Sequence, residues 1–262
     1  MTARVVTGER LVTAEGAFNP TWQRHVAAYA HAATVLPPGR LLDLGCGTGH
    51  SFHLLAPRET VGVDIDAGAL AGQERETVVA DMRELPLPGS SFESVVSAQS
   101  LEHVPDPERV LAEVARVLRR DGTALFVTPN RLTFGKPDEI IDPYHHVEFD
   151  RRELRELCEA HFGSVDLRGV FGSEHYMELH RDERERLDAL LRKDPLRLRR
   201  LIPRRVRQYL YDRRLSHERL DRGDPRAAAI EVEDFPIRSE PLDESLDLIA
   251  ICREPRRSPY LT

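Results

Sequence analysis

Three side chains with catalytic chemistry lie in two separate segments: Glu102 and His103 are adjacent, and His145 follows much later. A carboxylate and two imidazoles can chelate a divalent cation, and an imidazole with a pKa near neutrality can instead act as a general base. On a regular helix Glu102 and His103 would diverge by about 100°, so they converge only if this segment is a turn. We therefore predict Glu102, His103 and His145 as catalytic residues that either bind a metal ion together or act without one.

A glycine-rich stretch, RLLDLGCGTG at positions 40–49, indicates where a ligand binds. Its apolar residues predict a buried strand, and its alternate glycines, among them Gly45 and Gly47, predict a turn that lets a ligand approach the backbone. A helix beginning near His50 would add free backbone N–H groups there, as in nucleotide sites. The spacing is not the G-x-G-x-x-G of dinucleotide folds. Asp43 would repel a phosphate and favour a cationic ligand, such as a sulfonium with an amino group.

An acidic residue at the end of the next predicted strand extends this candidate site. Asp64 ends the apolar run TVGVD and lies 21 residues after Asp43. In dinucleotide folds, a carboxylate at about this distance accepts hydrogen bonds from the hydroxyls of a ribose. Asp64 is therefore the candidate ribose ligand, with Asp66 as a weaker alternative.

Apolar runs and helical periodicities alternate along the chain. The runs predict strands at 41–44, 60–64, 77–80, 92–98, 124–128, 165–167 and 245–252, and the periodicities predict helices over 20–36, 108–118 and 149–162. Such alternation predicts an α/β fold in which a parallel sheet carries helices on both faces.

Residues 173–226 interrupt this alternation. They are rich in arginine and glutamate, and their apolar residues recur at helical spacing between proline breaks. We predict a helical insertion before the last strand, within a single domain over 1–262. A solvated lid, a cover over the acceptor and an oligomer contact are the open interpretations. The basic cluster 197–207 could also hold an anionic group of a substrate.

Composition limits the remaining function classes. The chain has 262 residues and a formal net charge of −7, which does not favour nucleic-acid binding. Its three cysteines are too widely spaced for a disulfide framework or a zinc site. It has no apolar run long enough to span a membrane and no signal peptide. We expect a cytoplasmic protein without a membrane span that acts on a small-molecule or saccharide acceptor, and a homo-oligomer remains open.

The motif DLGCGTG at 43–49 resembles the first motif of the class I S-adenosylmethionine (SAM)-dependent methyltransferases, and LPLPGSSFESVV at 85–96 resembles their type-11 group. The resemblance implies a Rossmann-like seven-stranded methyltransferase sheet, mostly parallel, with an antiparallel last strand. It also implies SAM as cofactor. The implied cofactor-binding residues are Asp43, Gly45 and Gly47 at the amino-acid end, Asp64 at the ribose, Asp81 and Met82 at the adenine, and Ala98 at the exit of the fourth strand.

A Glu-His pair followed by a distant H-x-x-E-aromatic sequence is similar to metal-assisted O-methyltransferases of small RNAs and of the ubiquinone pathway. The matching residues are Glu102, His103 and His145, and the resemblance adds Mg²⁺ or Mn²⁺ as an optional cofactor. Those enzymes carry a further glutamate where this chain has Gln99. The sequence LEHV also occurs in many type-11 proteins without a metal, so both chemistries stay open.

Three patches outside the cofactor motifs resemble actinobacterial enzymes that methylate sugar hydroxyls in polymethylated polysaccharides. They are TGER at 7–10, the stretch 128–149 and the stretch 242–251. The implied activity is O-methyl transfer to a saccharide or glycosylated hydroxyl. Two alternatives remain: an O- or N-methyltransferase of another small metabolite, and a SAM-binding protein without catalysis.

Overall fold

The computed structural model describes residues 19–134, 139–192, 194, 198–221 and 224–257. Residues 7–10 and 135–138, which belong to two of the patches above, lie outside the described residues. The described chain forms one eight-stranded sheet flanked by helices. The strands are β1 Arg40–Leu44, β2 Glu59–Asp64, β3 Glu76–Val79, β4 Phe92–Ala98, β5 Leu118–Pro129, β6 Phe162–Val170, β7 Ile237–Arg238 and β8 Asp247–Pro255.

The strand order is β3-β2-β1-β4-β5-β8-β6-β7. Strands β1 to β5 are mutually parallel, and β8 lies antiparallel between β5 and β6. The parallel strands end at one edge, where the loops that follow β1, β2 and β4 meet. In open α/β sheets a ligand binds outside this edge, where the strand order reverses.

The helices are α1 Asn19–Val35, α2 Ala67–Leu70, α3 Pro107–Val117, α4 Arg131–Phe134, α5 Arg151–His161, α6 Glu174–Leu191, α7 Arg204–Asp221 and α8 Pro225–Ala228. Helix α5 begins with a reciprocal capping box, in which Asp150 accepts from the N–H of Glu153 and Glu153 accepts from the N–H of Asp150.

Both faces of the sheet are buried, which explains the continuous apolar character of its strands. Leu42 and Leu44 pack with α3 and α5 in one apolar cluster, whereas Leu41 packs with α1, α6 and α8 in another. Alternate side chains of a strand point to opposite faces, so a strand covered on both sides is apolar at most positions. The prediction of helices on both faces is confirmed.

The sheet has eight strands and not seven. The additional strand β7 has only two residues, Ile237 and Arg238, and pairs antiparallel with β6 at the edge. Two residues are too few to produce a periodic signal, so the sequence could not reveal this strand. The antiparallel last strand beside the fifth is confirmed by the pairing of β8 with β5.

The helix predicted to begin near His50 is absent. The glycine loop leads only into a short 3₁₀ helix, Phe52–Leu55. Pro57 follows two residues later and cannot donate the N–H that a longer helix would need. No helix N-terminus therefore faces the ligand site at this position among the described residues.

Residues 173–226 contain α6, the 3₁₀ helix Leu198–Leu201, α7 and the start of α8. The lid or cover role of this segment stays a prediction. Across the described residues, none of the helices combines the length and the apolar character needed to cross a membrane.

Candidate active site

A cavity of about 460 Å³ opens at the edge of the sheet where β1, β2 and β4 end. Six of the seven predicted cofactor residues line it: Gly45, Gly47, Asp64, Asp81, Met82 and Ala98. Its volume falls in the range of ordinary small-molecule sites. The sequence motifs therefore converge on one cavity, as their positions at successive strand ends predicted.

The glycine loop passes so close to its neighbours that a side chain does not fit. Gly45 has a φ of +71°, and a Cβ there would lie 2.5 Å from the Cβ of Ser100. The N–H groups of Gly45 and Cys46 both bond to the carbonyl oxygen of Val63, at 2.8 and 3.0 Å. The loop is thus fastened to β2 and presents its backbone to the cavity.

Asp64 closes the loop from the side of β2. Its two carboxylate oxygens accept the N–H groups of Gly47 and Asp66, each at 2.9 Å. In dinucleotide folds a carboxylate at this strand end accepts hydrogen bonds from the hydroxyls of a ribose. Its place on the cavity wall is compatible with the predicted role, which stays a prediction.

Asp43 does not line the cavity, which corrects the expectation of a direct cofactor contact. It is buried beneath the loop, where Tyr29 donates its hydroxyl to it at 2.8 Å and Arg75 pairs with it at 2.8 Å. Burial raises the pKa of the Asp43 carboxyl, while the charge of Arg75 works in the opposite direction. Asp43 therefore supports the loop by joining β1 to α1.

A group of aromatic and imidazole rings forms one wall of the cavity. His25 and Tyr29 of α1 line it together with His50, whose ring centroid lies 4.4 Å from that of Trp22. Burial lowers the pKa of His50 to about 4 and that of His25 well below its usual value. Both rings are neutral near pH 7, so this wall of the cavity carries no charge from His25 or His50.

Glu102, His103 and His145 converge, as predicted. Each offers a ligand atom, and these atoms all lie within 4.8 Å of one another. The 3₁₀ helix Leu101–His103 supplies the turn that lets two neighbours in sequence point to one place. The N–H of His146 donates to the carbonyl oxygen of Glu102 at 2.7 Å, which fixes the distant loop against this turn.

A fourth side chain, Glu148, belongs to this cluster, although it was not among the predicted site residues. Its Oε1 lies 2.9 Å from Nδ1 of His145. The signal was available in the sequence, because Glu148 is the acid of the H-x-x-E-aromatic pattern. Among the described residues, Oε1 of Glu102 and Oε2 of Glu148 are buried without a hydrogen-bond partner.

The electrostatics of the cluster differ from residue to residue. Burial raises the pKa of Glu102 to about 7, partly offset by the charge of His145. Burial lowers the pKa of His103 to about 4, and the charge of His145 adds to this. Burial also acts to lower the pKa of His145, but the hydrogen bond to Glu148 and the charge of Glu102 raise it overall.

The residues present fit a divalent cation. The uncompensated buried oxygen of Glu102 is an anionic ligand atom, and the two imidazoles are ligands of intermediate softness. The pairing of His145 with Glu148 is the carboxylate–histidine arrangement that orients metal-binding imidazoles. Gln99, at the position where metal-assisted relatives have a glutamate, instead donates to Asp247 at 2.8 Å.

Of the cluster, His103 lines the cavity, whereas Glu102 and His145 do not. Nδ1 of His103 lies 3.3 Å from the carbonyl oxygen of Tyr144. A carbonyl only accepts, so this contact assigns the proton of the neutral ring to Nδ1 and leaves a lone pair on Nε2. His103 is therefore the member of the cluster that can meet a substrate.

A Rossmann-like sheet with a glycine loop after β1 and an acid at the end of β2 defines the class I methyltransferase architecture. The family described as "Methyltransferase domain" matches residues 42–126. A probable S-adenosylmethionine-dependent methyltransferase of Mycolicibacterium smegmatis is 32% identical, over 95% of this chain and 95% of that protein. The chain belongs to the SAM-dependent methyltransferases, and SAM is its cofactor.

Further similarities agree with this assignment. The probable S-adenosylmethionine-dependent methyltransferase Rv3030 of Mycobacterium tuberculosis is 36% identical over 63% of this chain and 64% of that protein. A solved structure from Thermotoga maritima, described as a possible histamine N-methyltransferase, has 16% identity and a TM-score of 0.58, covering 90% of this chain and 94% of that one. At this identity the match supports the fold alone.

Proposed function

We propose that this methyltransferase transfers the methyl group of SAM to a hydroxyl group of a saccharide or glycosylated metabolite. The observation that carries the proposal is the neutral imidazole of His103 on the cavity wall, with Glu102 and His145 behind it. A hydroxyl acceptor must lose its proton as the methyl group arrives, and the lone pair on Nε2 of His103 can take it. The lowered pKa makes His103 a weaker base than a histidine that titrates near neutrality.

In the reaction, the acceptor oxygen forms a bond to the methyl carbon while the carbon–sulfur bond of SAM breaks, leaving S-adenosylhomocysteine. The proton of the hydroxyl passes to Nε2 of His103. The carbonyl of Tyr144 holds the opposite ring nitrogen and so fixes the tautomer. His145, held by Glu148, contacts the His103 ring edge-on with centroids 5.1 Å apart and thereby limits its orientation.

The same residues serve a metal-assisted version of the transfer. Glu102, His103 and His145 would hold the ion, with Glu148 orienting His145. Mg²⁺ or Mn²⁺ bound there would lower the pKa of the acceptor hydroxyl and orient a diol. In that version Nε2 of His103 is a ligand atom and is not available as a base, so a chelator separates the two.

The saccharide part of the proposal rests on the two described patches that resemble enzymes methylating sugar hydroxyls. These patches touch each other beside the cluster: the side-chain amide of Asn130 donates to the carbonyl oxygens of Leu242 and Ser245, at 3.0 and 2.9 Å. Thr128 of the first patch donates to Glu102 at 3.3 Å. The resemblance thus concerns residues that support the acceptor side of the cavity.

The test is transfer of labelled methyl from SAM to a panel of sugars, glycolipids, phenols and amines, with and without EDTA. We expect labelled methyl ethers of a sugar hydroxyl, and a loss of about 10²–10⁴-fold in kcat for His103→Ala. His53→Ala, a change at an exposed histidine, is the matched control. Labelling confined to amines would refute O-transfer, and labelling of phenols alone would refute the saccharide acceptor.

A further inference from the structure

Helix α7 binds the rest of the protein through its polar face. Arg204 donates to the carbonyl oxygen of Pro143 at 2.8 Å and to that of Tyr144 at 2.8 Å. One and two turns further along, Gln208 donates to Pro143 at 3.3 Å, and Tyr211 donates to Asp142 at 3.1 Å. Residues three and four apart share one side of a helix, so this side faces the loop that carries His145.

The opposite side of α7 is apolar and exposed. Val206, Tyr209 and Leu210, at positions i, i+3 and i+4, are 45%, 63% and 50% exposed. Three further apolar side chains precede them in and after the 3₁₀ helix: Leu198, Leu201 and Ile202, of which Leu201 is 81% exposed. We call these six residues the α7 surface. They are six of the nine large apolar side chains that are exposed in the described part of the chain.

This arrangement is the reverse of an ordinary surface helix, which buries its apolar stripe and exposes its polar residues. Scattered single apolar side chains on a surface are normal, but a contiguous group marks an interaction site or a liability. The members of the α7 surface follow one another closely in sequence, and its three helical members share one side of α7, so we expect this surface to have a partner.

Charge identifies the kind of partner. The segment 198–213 contains six arginines and one aspartate, a formal net charge of +5. One of the six, Arg199, is paired with Glu139 and Asp194, which lie outside the segment. The whole chain carries −7, so the rest of the protein carries −12. Arg205 and Arg213 are exposed beside the apolar side chains. The α7 surface therefore combines hydrocarbon with concentrated positive charge on an otherwise acidic protein.

We propose that the α7 surface docks on an anionic lipid bilayer, with its apolar side chains among the acyl chains and its arginines at the headgroups. Exposed apolar side chains next to basic ones attract a segment to an anionic membrane interface. A second copy of the chain is the less suitable occupant, because a two-fold contact would bring two +5 segments together. A nucleic acid would use the arginines but would leave Leu201 and Leu210 in water.

Docking through this face has a consequence for the cavity. The polar side of α7 holds residues 142–146, and His146 of that loop lines the cavity. A bilayer bound to the apolar side would therefore lie next to the acceptor side of the active site. The docking proposal itself does not depend on which acceptor is methylated.

The test is co-sedimentation of the full chain with vesicles of phosphatidylcholine alone or with 30% phosphatidylglycerol, an amount on the order of that in anionic biological membranes. We expect binding to the anionic vesicles and little to the neutral ones, with loss of binding at high salt. Leu201→Glu with Leu210→Glu should reduce the binding at least about tenfold, because it removes two apolar anchors and adds like charge. The matched control is Val79→Glu, at an exposed apolar residue on β3.

A second pair of variants tests the charge. Each arginine near an anionic surface contributes about a fivefold factor, so Arg205→Glu with Arg213→Glu should weaken binding by roughly 20-fold or more. Arg119→Glu with Arg152→Glu, at exposed arginines elsewhere, should change it little. Circular dichroism and SAM binding verify folding of every variant. The proposal would be overturned by equal binding to both vesicle types or by an equal loss of binding in the control variants. It would also be overturned if light scattering showed a dimer that Leu201→Glu dissociates.

Discussion

Helices α3 and α7 both lie at the surface, but they present opposite faces to the protein. In α3, the residues Val110, Leu111 and Val114 are fully buried in the core beside β4 and β5. In α7, the residues that contact the protein are polar, and Val206 and Leu210 are exposed. Apolar periodicity thus identifies a helix in both cases, but it identifies the buried face only in α3.

The two helices represent two kinds of region. The strands and helices around the cofactor are held by buried apolar contact, which stabilises in proportion to the area removed from water. The segment 173–226 is held in part by side chains that donate to backbone carbonyls. Arg184 of α6, for example, donates to the carbonyl oxygens of Thr133 and Phe134 at 2.6 and 2.7 Å. Such bonds specify a position but contribute only modestly to net stability.

The largest expected effect is a difference in stability between equivalent changes in α3 and α7. Leu111→Ala should lower the free energy of unfolding by about 2–5 kcal/mol, because it leaves a cavity in a packed core. Leu210→Ala, the same change on the exposed side of α7, should change it by less than about 0.5 kcal/mol. Urea unfolding followed by circular dichroism measures both. Similar losses in the two variants would mean that α7 is packed against the protein through its apolar side.

The same contrast explains what the sequence could predict. The strand ends that carry Asp64 and Asp81 were located because buried parallel strands and glycine turns have strong local patterns. The convergence of Glu102 with His145 was predicted because two loops leave one edge of the sheet. The orientation of α7 could not be predicted, because bonds such as those from Arg204 to Pro143 and Tyr144 have no periodicity.

Errors also arose where a local pattern was overridden. Asp43 resembled a ligand-binding acid, but Arg75, far along the chain, neutralises it beneath the loop. Tyr29 belongs to the apolar stripe of the helix predicted over 20–36, and it packs in the core and also lines the cavity. In each case the deciding partner is distant in sequence, so no window of the chain contains the information.

The next effect tests the cofactor region. Asp64→Ala should weaken SAM binding by about 1.5–3 kcal/mol, the value of a hydrogen bond to a charged group. Titration calorimetry measures the loss. Asp64→Asn keeps one carbonyl acceptor and should lose less. Asp66→Ala is the control at the rival acid, and an equal or larger loss there would transfer the ribose role to Asp66.

A pH dependence tests whether α6 belongs to the packed region, since Tyr176 and Leu179 of α6 are buried in the core. Burial lowers the pKa of His180 to about 4, with Arg24 and Arg184 adding to the shift. Its ordinary value is 6.5, so between pH 6.5 and pH 4 the unfolded chain binds more protons than the folded one. The free energy of unfolding is therefore not reduced by His180 above pH 6.5. It decreases as the pH falls from 6.5 towards 4, because the unfolded chain gains a proton that the folded chain does not.

The measurement is the free energy of unfolding at pH 7.5 and pH 5. We expect the wild type to lose about 1–2 kcal/mol more over this interval than His180→Gln, which has no group to titrate. The exposed His53 gives the control variant, His53→Gln, which tests whether the change is specific to position 180. If His180→Gln retains the full dependence, then α6 is not packed firmly enough to exclude a charged imidazole, and it belongs with α7.

The smallest expected effect concerns the hydrogen bonds through which α7 is attached to the loop 142–146. Arg204→Ala removes the bonds to the carbonyl oxygens of Pro143 and Tyr144, and Tyr144 is the residue whose carbonyl holds His103. Because the attachment orients the loop without burying apolar area, we expect kcat for a soluble acceptor to fall about tenfold. SAM affinity and the unfolding free energy should change little.

Arg204→Lys, which keeps the charge but not the planar fork, should recover only part of the rate. Arg205→Ala, on the outer side of the same helix, should keep full activity. If Arg204→Ala lowered SAM affinity as well as kcat, then α7 would support the cofactor site too. The division of the molecule into two regions would then be wrong.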